Sequence, residues 1–204
     1  RVRQRTQELE DANERLARLS VRDVLTGLFN RRHSIEQLDL LMGEWQRYHV
    51  VFSVLYLDLD HFKLVNDQHG HAQGDRVLTC VADVLRLRAR STDAVCRLGG
   101  DEFLIICRHT DDMAALRFAG MLRDVVLAEC DRAVGQFWQP SLSIGIAQID
   151  EGCPSVSELL SRADTAMYRA KSGGGGIAVW KPEMASLSDT EGEGQALPEG
   201  SGTR

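Results

Sequence analysis

A near-continuous apolar run, Val50-Val51-Phe52-Ser53-Val54-Leu55-Tyr56-Leu57, ends in two carboxylates, Asp58 and Asp60. Successive strand side chains point to opposite faces, so a strand apolar on both must be covered on both. The run therefore reads as a central strand, and an acid that ends it needs a partner. Around it the apolar spacing predicts helices over 30–48, 61–68, 73–89, 112–130 and 155–171. The 73–89 helix carries Val77, Leu78, Val81, Val84, Leu85 and Leu87. Ala94–Arg97 and Phe103–Cys107 read as strands of a hairpin about Gly99-Gly100, with further strands at Ser141–Ile149 and Ile177–Trp180. Helices and strands alternate, but the hairpin forces an antiparallel component. The expected architecture is a mixed sheet with helices against it.

The 204 residues suit one domain with short appendages, 43% of them hydrophobic and 26% charged. No stretch approaches the roughly 20 apolar residues of a bilayer span. The net charge of −6 argues against a broad nucleic-acid footprint, and four of those charges sit in residues 183–204. That Gly-, Ser- and Glu-rich stretch is expected to be a disordered acidic tail. Residues 1–20 place Val2, Leu9 and Leu16 at one heptad position and Arg5, Ala12 and Leu19 at another, a weak coiled-coil seam. This segment is read as a dimerising helix from an upstream domain of a longer protein, ahead of a domain over 21–182. The five cysteines contain no CxxC pair and are read as small buried hydrophobes in a reducing cytoplasm.

Two clusters carry chemistry. Asp58-Leu59-Asp60 ends the buried strand, where carboxylate and carbonyl oxygens suit a hard divalent cation. Asp60 reads as the N-cap of the following helix. The helix starting at His61 offers free N–H groups to a phosphate, with Lys63 as an added charge. The second cluster is Arg97-Leu98-Gly99-Gly100-Asp101-Glu102-Phe103, a tight turn with two acids entering an apolar strand. If this hairpin lies beside the first strand, Asp101 faces Asp58 and completes an oxygen site for magnesium with nucleotide phosphate.

Over roughly residues 20–181 the chain resembles the GGDEF-domain diguanylate cyclases. The resemblance rests on Asp23-Val24-Leu25-Thr26-Gly27-Leu28-Phe29-Asn30-Arg31-Arg32, on Asp58 to Asp67 with Gly70-His71 and Gly74-Asp75, and on Arg97–Phe103. Ser143–Ala147 and Ala163-Asp164 to Ala170-Lys171 complete it. It implies an α+β, ferredoxin-like mixed sheet flanked by helices, akin to nucleotide cyclase and polymerase palm cores. It also implies a dimeric enzyme that condenses two GTP into cyclic di-GMP and two pyrophosphates with magnesium or manganese. Asp58, the Leu59 carbonyl, Asp101 and Glu102 would ligate metal, Glu102 alternatively helping to deprotonate the attacking hydroxyl. Asn66 and Asp75 would read guanine; His61, Phe62, Lys63 and Lys171 would hold phosphates. Arg90-Ser91-Thr92-Asp93 stands at the spacing of the family's inhibitory RxxD site, which binds cyclic di-GMP. The expected location is cytoplasmic, including the cytoplasmic part of a membrane-anchored protein, with a sensory domain upstream and no nucleic-acid partner.

One departure stands out. Where the family continues Gly-Arg-Asn after the lysine, this chain has Gly174-Gly175-Gly176. A phosphate-binding guanidinium is missing, and Gly175→Arg is expected to tighten GTP binding. The alternative to an enzyme is a catalytically silent module that binds cyclic di-GMP or GTP and signals by protein contact.

Overall fold

The computed structural model describes residues 21–187. The 1–20 seam and residues 188–204 of the expected tail lie outside the described residues. The apolar run becomes strand β2, Phe52–Leu59, with all eight residues buried. It lies between β4, Glu102–Arg108, and β5, Leu142–Gln148, antiparallel to both. Strand β3, Ala94–Gly99, pairs antiparallel with β4, forming the expected hairpin. Two short strands extend the edges in parallel: β1, Phe29–Asn30, on β3, and β6, Gly176–Val179, on β5. The sheet order is β1-β3-β4-β2-β5-β6. The inner four strands, all antiparallel, make with their helices the ferredoxin-like core, and the two parallel edge strands make the sheet mixed. The two-residue β1 has no periodicity to announce it; its place is set by pairing with β3.

The pleat of β2 sorts the two cores. Leu55, Leu57 and Leu59 face one layer, with α2, Phe62–His69, α3, His71–Arg88, and α4, Asp112–Val134. Phe52, Val54 and Tyr56 belong to the other layer, with α1, Arg31–Tyr48, and α5, Val156–Ser172. Asp58 continues the second series and so points toward α5. That helix lies very close to the sheet. A Cβ at Gly145 would meet the Ala163 carbonyl oxygen at 2.0 Å and the Met167 nitrogen at 2.2 Å, so only glycine admits α5 here.

Local signals explain the helix starts. Asn30 caps α1 by accepting from the His33 N–H at 3.0 Å, Asp111 caps α4 by accepting from Ala114, and Ser155 caps α5 by accepting from Glu158. Three expectations are corrected. Leu87, assigned to the apolar face of α3, is 78% exposed. The tail boundary at 183 falls inside a 3-10 turn, Pro182–Leu187. Asp60 does not cap α2. His61 occupies that position in a left-handed conformation (φ 62°) with no side-chain cap, and Asp60 turns inward, 5% exposed.

Candidate functional site

The pairing of β2 with β4 sets Asp58 opposite Glu102, and the Leu59 N–H donates to the Asp101 carbonyl at 3.4 Å. The three acids named from sequence therefore meet at one end of the sheet, with Asp101 and Glu102 half-buried beside the buried Asp58. Lys171, in the last turn of α5, donates to Asp58 Oδ1 at 2.5 Å. Burial pushes the Asp58 carboxyl up from its ordinary value, and Asp101 and Asp60 add to the rise, while the Lys171 hydrogen bond opposes it. Burial alone would lower the Lys171 ammonium, but the bond and charge of Asp58 outweigh it and raise it. Asp164, on α5, is raised by burial and by Asp58. Burial, then Glu102, raises the Tyr56 phenol. This sheet end therefore gathers carboxylates that repel one another and draw a cation.

The fit to a divalent ion rests on that donor set. Asp58, Glu102 and the Leu59 carbonyl on the two paired strands, with Asp101 in the turn just before β4, are all hard oxygens. Among the described residues no three His, Cys, Asp or Glu side chains stand already converged to metal-binding distance.

Asp60 builds the wall beside them. Its carboxylate accepts from Ser141 Oγ at 2.5 Å and Ser143 Oγ at 2.8 Å, and its carbonyl accepts from Trp138 Nε1 at 3.0 Å. This network joins β2 to the loop before β5, and nothing in the local sequence around Asp60 announces partners about 80 residues away.

The hairpin tip is anchored from a distance. Arg97 donates to the Gly100 carbonyl from Nε at 3.1 Å and from an η-nitrogen at 2.8 Å, while its other η-nitrogen reaches Asp23 at 3.1 Å. Asp23 also accepts from the Thr26 N–H at 2.9 Å and hydroxyl at 2.6 Å. Burial would raise the Asp23 carboxyl, but Thr26 and Arg97 hold it below its ordinary value. The Asp23–Arg32 motif thus fixes the turn that carries Asp101 and Glu102. Nothing local to either segment announces this contact across 74 positions.

The remaining expected residues divide. Asn66 lies over the start of α3, where a Cβ at Gly74 would stand 2.0 Å from its Oδ1. That brings it to the α2–α3 seam beside the exposed Asp75. His61 and Lys63 are exposed at the start of α2, whereas the Phe62 side chain is in the core, leaving only its backbone for a ligand. Arg90 and Asp93 sit elsewhere. Asp93 precedes β3, whose far end, Gly99, pairs with Glu102. At the strand rise per residue this is roughly 20 Å from the acidic end. Asp93 Oδ2 accepts from the Arg90 N–H at 3.2 Å, and its Oδ1 is buried without a partner. It lines a cavity of about 490 Å³ with His33, Gln37 and Arg108.

Gly175 corrects the expectation drawn from its neighbours. It has φ +91°, and a Cβ there would fall 3.0 Å from Asp60 Oδ2 and 3.1 Å from Ser141 Oγ. Arginine does not fit this backbone without strain.

A ferredoxin-like sheet whose central strand and neighbouring hairpin bring carboxylates together at one end, beside a helix start, defines the class of fold and site. Residues 20–176 match the family model described as diguanylate cyclase, GGDEF domain. The chain belongs to this family. It is 38% identical over 164 residues to the diguanylate cyclase TpbB of Pseudomonas aeruginosa, covering 80% of this chain and 38% of that protein. It is 33% identical over 184 residues to the probable diguanylate cyclase DgcE of Escherichia coli, covering 88% of this chain and 17% of that protein. The chain thus spans well under two thirds of these relatives' length. Among solved structures it superposes on the GGDEF domain of DgcB from Caulobacter crescentus, determined with c-di-GMP. The TM-score is 0.73 at 29% identity, over 78% of this chain and 95% of that one. It also superposes on the diguanylate cyclase SiaD of Pseudomonas aeruginosa in complex with its activator SiaC. There the TM-score is 0.73 at 33% identity, over 87% and 68% of the two chains. No helix among the described residues is long and apolar enough to cross a membrane.

Proposed function

We propose that this chain is a diguanylate cyclase unit that condenses two GTP molecules into cyclic di-GMP and two pyrophosphates, working in the cytoplasm as a dimer. The observation that carries this is the register placing Asp58 opposite Glu102, with Asp101 adjacent. Each monomer holds one GTP. Asp75 accepts from guanine N1–H and N2–H, a donor pair that adenine lacks, and Asn66 bonds the same base across the seam. The start of α2 and Lys63 take the phosphates. Lys171 exchanges its bond to Asp58 for one to phosphate. A magnesium or manganese ion bound to Asp58, Asp101, Glu102 and the Leu59 carbonyl would supply Lewis-acid stabilisation of the phosphate oxygens. Glu102, half-buried at the start of β4, serves either as that metal ligand or as the base that takes the proton of the 3′-hydroxyl attacking the partner's α-phosphorus. Breaking the α–β phosphoanhydride then releases pyrophosphate. Two such attacks close the ring.

Arg90 and Asp93 form a product-inhibition site. The place of Asp93 in the lining of a cavity, with one carboxylate oxygen left without a partner, supports this, since an Arg and an Asp together suit a guanine edge. The separation from the acidic end makes inhibition allosteric.

The test is incubation of the protein with GTP and magnesium, with chromatographic detection of cyclic di-GMP. Product formation that requires GTP and the divalent ion is expected. Binding of cyclic di-GMP with no synthesis at any protein concentration would establish the silent-module reading instead.

A further inference from the structure

Helices α3 and α4 pack against each other on the face away from α5, and each contributes one cysteine to their seam. Cys80 and Cys130 are 50 positions apart in sequence, yet their sulfurs are 3.1 Å apart. Both are free thiols. A disulfide needs about 2.05 Å, so a relative shift of about 1 Å would join them. Their exposures differ in a useful way. Cys130 is completely buried, while Cys80 is part-exposed and lines a cavity of about 540 Å³ that admits a small solute. Cys96, Cys107 and Cys153 are buried.

We propose that Cys80 and Cys130 form a reversible dithiol–disulfide site, oxidised by a hydroperoxide and reset by a dithiol. Cys80 is the attacking sulfur. Its hydrogen bond with Cys130 holds its thiol below the ordinary value, against burial and the nearby acids Asp83 and Glu129. The same bond and burial push Cys130 up, so Cys130 remains the protonated, resolving thiol. The Cys80 thiolate attacks one peroxide oxygen; the O–O bond breaks, and the leaving oxygen departs protonated, as water for hydrogen peroxide. Cys80 becomes a sulfenic acid. The Cys130 sulfur then attacks the Cys80 sulfur, its proton going to the departing hydroxide, which leaves as water. The sulfur pair loses two electrons, the peroxide gains them, and a dithiol returns them by exchange.

The staple would fix α3, the helix that carries Asp75 five residues before Cys80 and in the same cavity. Closing a loop of this length restricts the unfolded chain. It should raise the melting temperature by about 5–15 °C.

The experiment treats the whole protein with hydrogen peroxide, quenches excess thiol, and maps tryptic peptides without reduction. Cleavage leaves Cys80 in Val77–Arg86 and Cys130 in Asp124–Arg132, one cysteine in each. The expected result is this pair joined and lighter by two hydrogens. The melting temperature should rise with it, fall back on dithiothreitol, and not respond in Cys80→Ser. Recovery of Cys80 as free thiol or sulfinic acid, or joined to Cys80 of a second chain, overturns the proposal. The wild-type map decides the question even if the variant misfolds. No GTP is present, so the result is independent of the cyclase reading.

Discussion

Replacing Gly175 tests how the site is built, because sequence and structure give opposite expectations for it. Resemblance to the family's Gly-Arg-Asn pattern suggests that Gly175→Arg restores a phosphate contact worth about 1.5–3 kcal/mol. The structure opposes this through the backbone. At φ +91° any side chain meets the left-handed penalty of about 1–2 kcal/mol. The new Cβ also stands 3.0 Å from Asp60 Oδ2, which is tied to Ser141 and Ser143 and cannot yield freely. Weakening one of those bonds costs about 0.5–1.5 kcal/mol. Restricting the unfolded chain returns about 0.4–1 kcal/mol. The net loss is about 0.5–3 kcal/mol, or roughly 1–12 °C in melting temperature. Gly175→Ala carries the same Cβ without the guanidinium, so it should show most of the thermal loss. The assay is a circular-dichroism melt of the wild type and both variants, with KM for GTP measured on each. A Gly175→Arg protein that melts with the wild type and binds GTP more tightly would refute the reasoning.

Lys171→Met should raise KM for GTP roughly 10–100-fold, the loss of one charge-assisted contact, as read from initial rates. Arg90→Ala should relieve inhibition by added cyclic di-GMP with little change in initial rate, because it lies roughly 20 Å from the acidic sheet end; undiminished inhibition would place the product site elsewhere. Activity should rise faster than linearly at low protein concentration, and removing residues 1–20 should steepen that dependence. Strict proportionality in both proteins would remove the dimerising role from this segment.

The parts of the fold legible in sequence are those set by local periodicity. The run into Asp58 fixed the central strand, and Gly99-Gly100 between apolar runs fixed the hairpin. The meeting of Asp58 with the Asp101-Glu102 pair was legible because each half is contiguous in sequence. What escaped reading depends on partners far along the chain. Asp60 looks like a helix cap, since an acid before a short helix usually is one. Its actual partners, Ser141 and Ser143, arrive only when β5 pairs with β2. The Asp23–Arg97 bridge spans 74 positions, and the Cys80–Cys130 contact spans 50. Leu87 is apolar yet faces outward, because at about 100° per residue it falls off the face that Val77, Val81 and Leu85 bury. Gly175 was misread for a different reason: its backbone angle, which decides what can replace it, is invisible in a run of four glycines.

The central claim is that Asp58, Asp101 and Glu102 form one catalytic constellation, and Glu102→Gln tests it most directly. The substitution keeps the size of a half-buried side chain at the start of β4 and removes only the charge. Single-turnover synthesis of cyclic di-GMP should fall at least about 100-fold, with the melting temperature unchanged and GTP still bound. Synthesis within a few-fold of wild type by this folded variant would contradict the account.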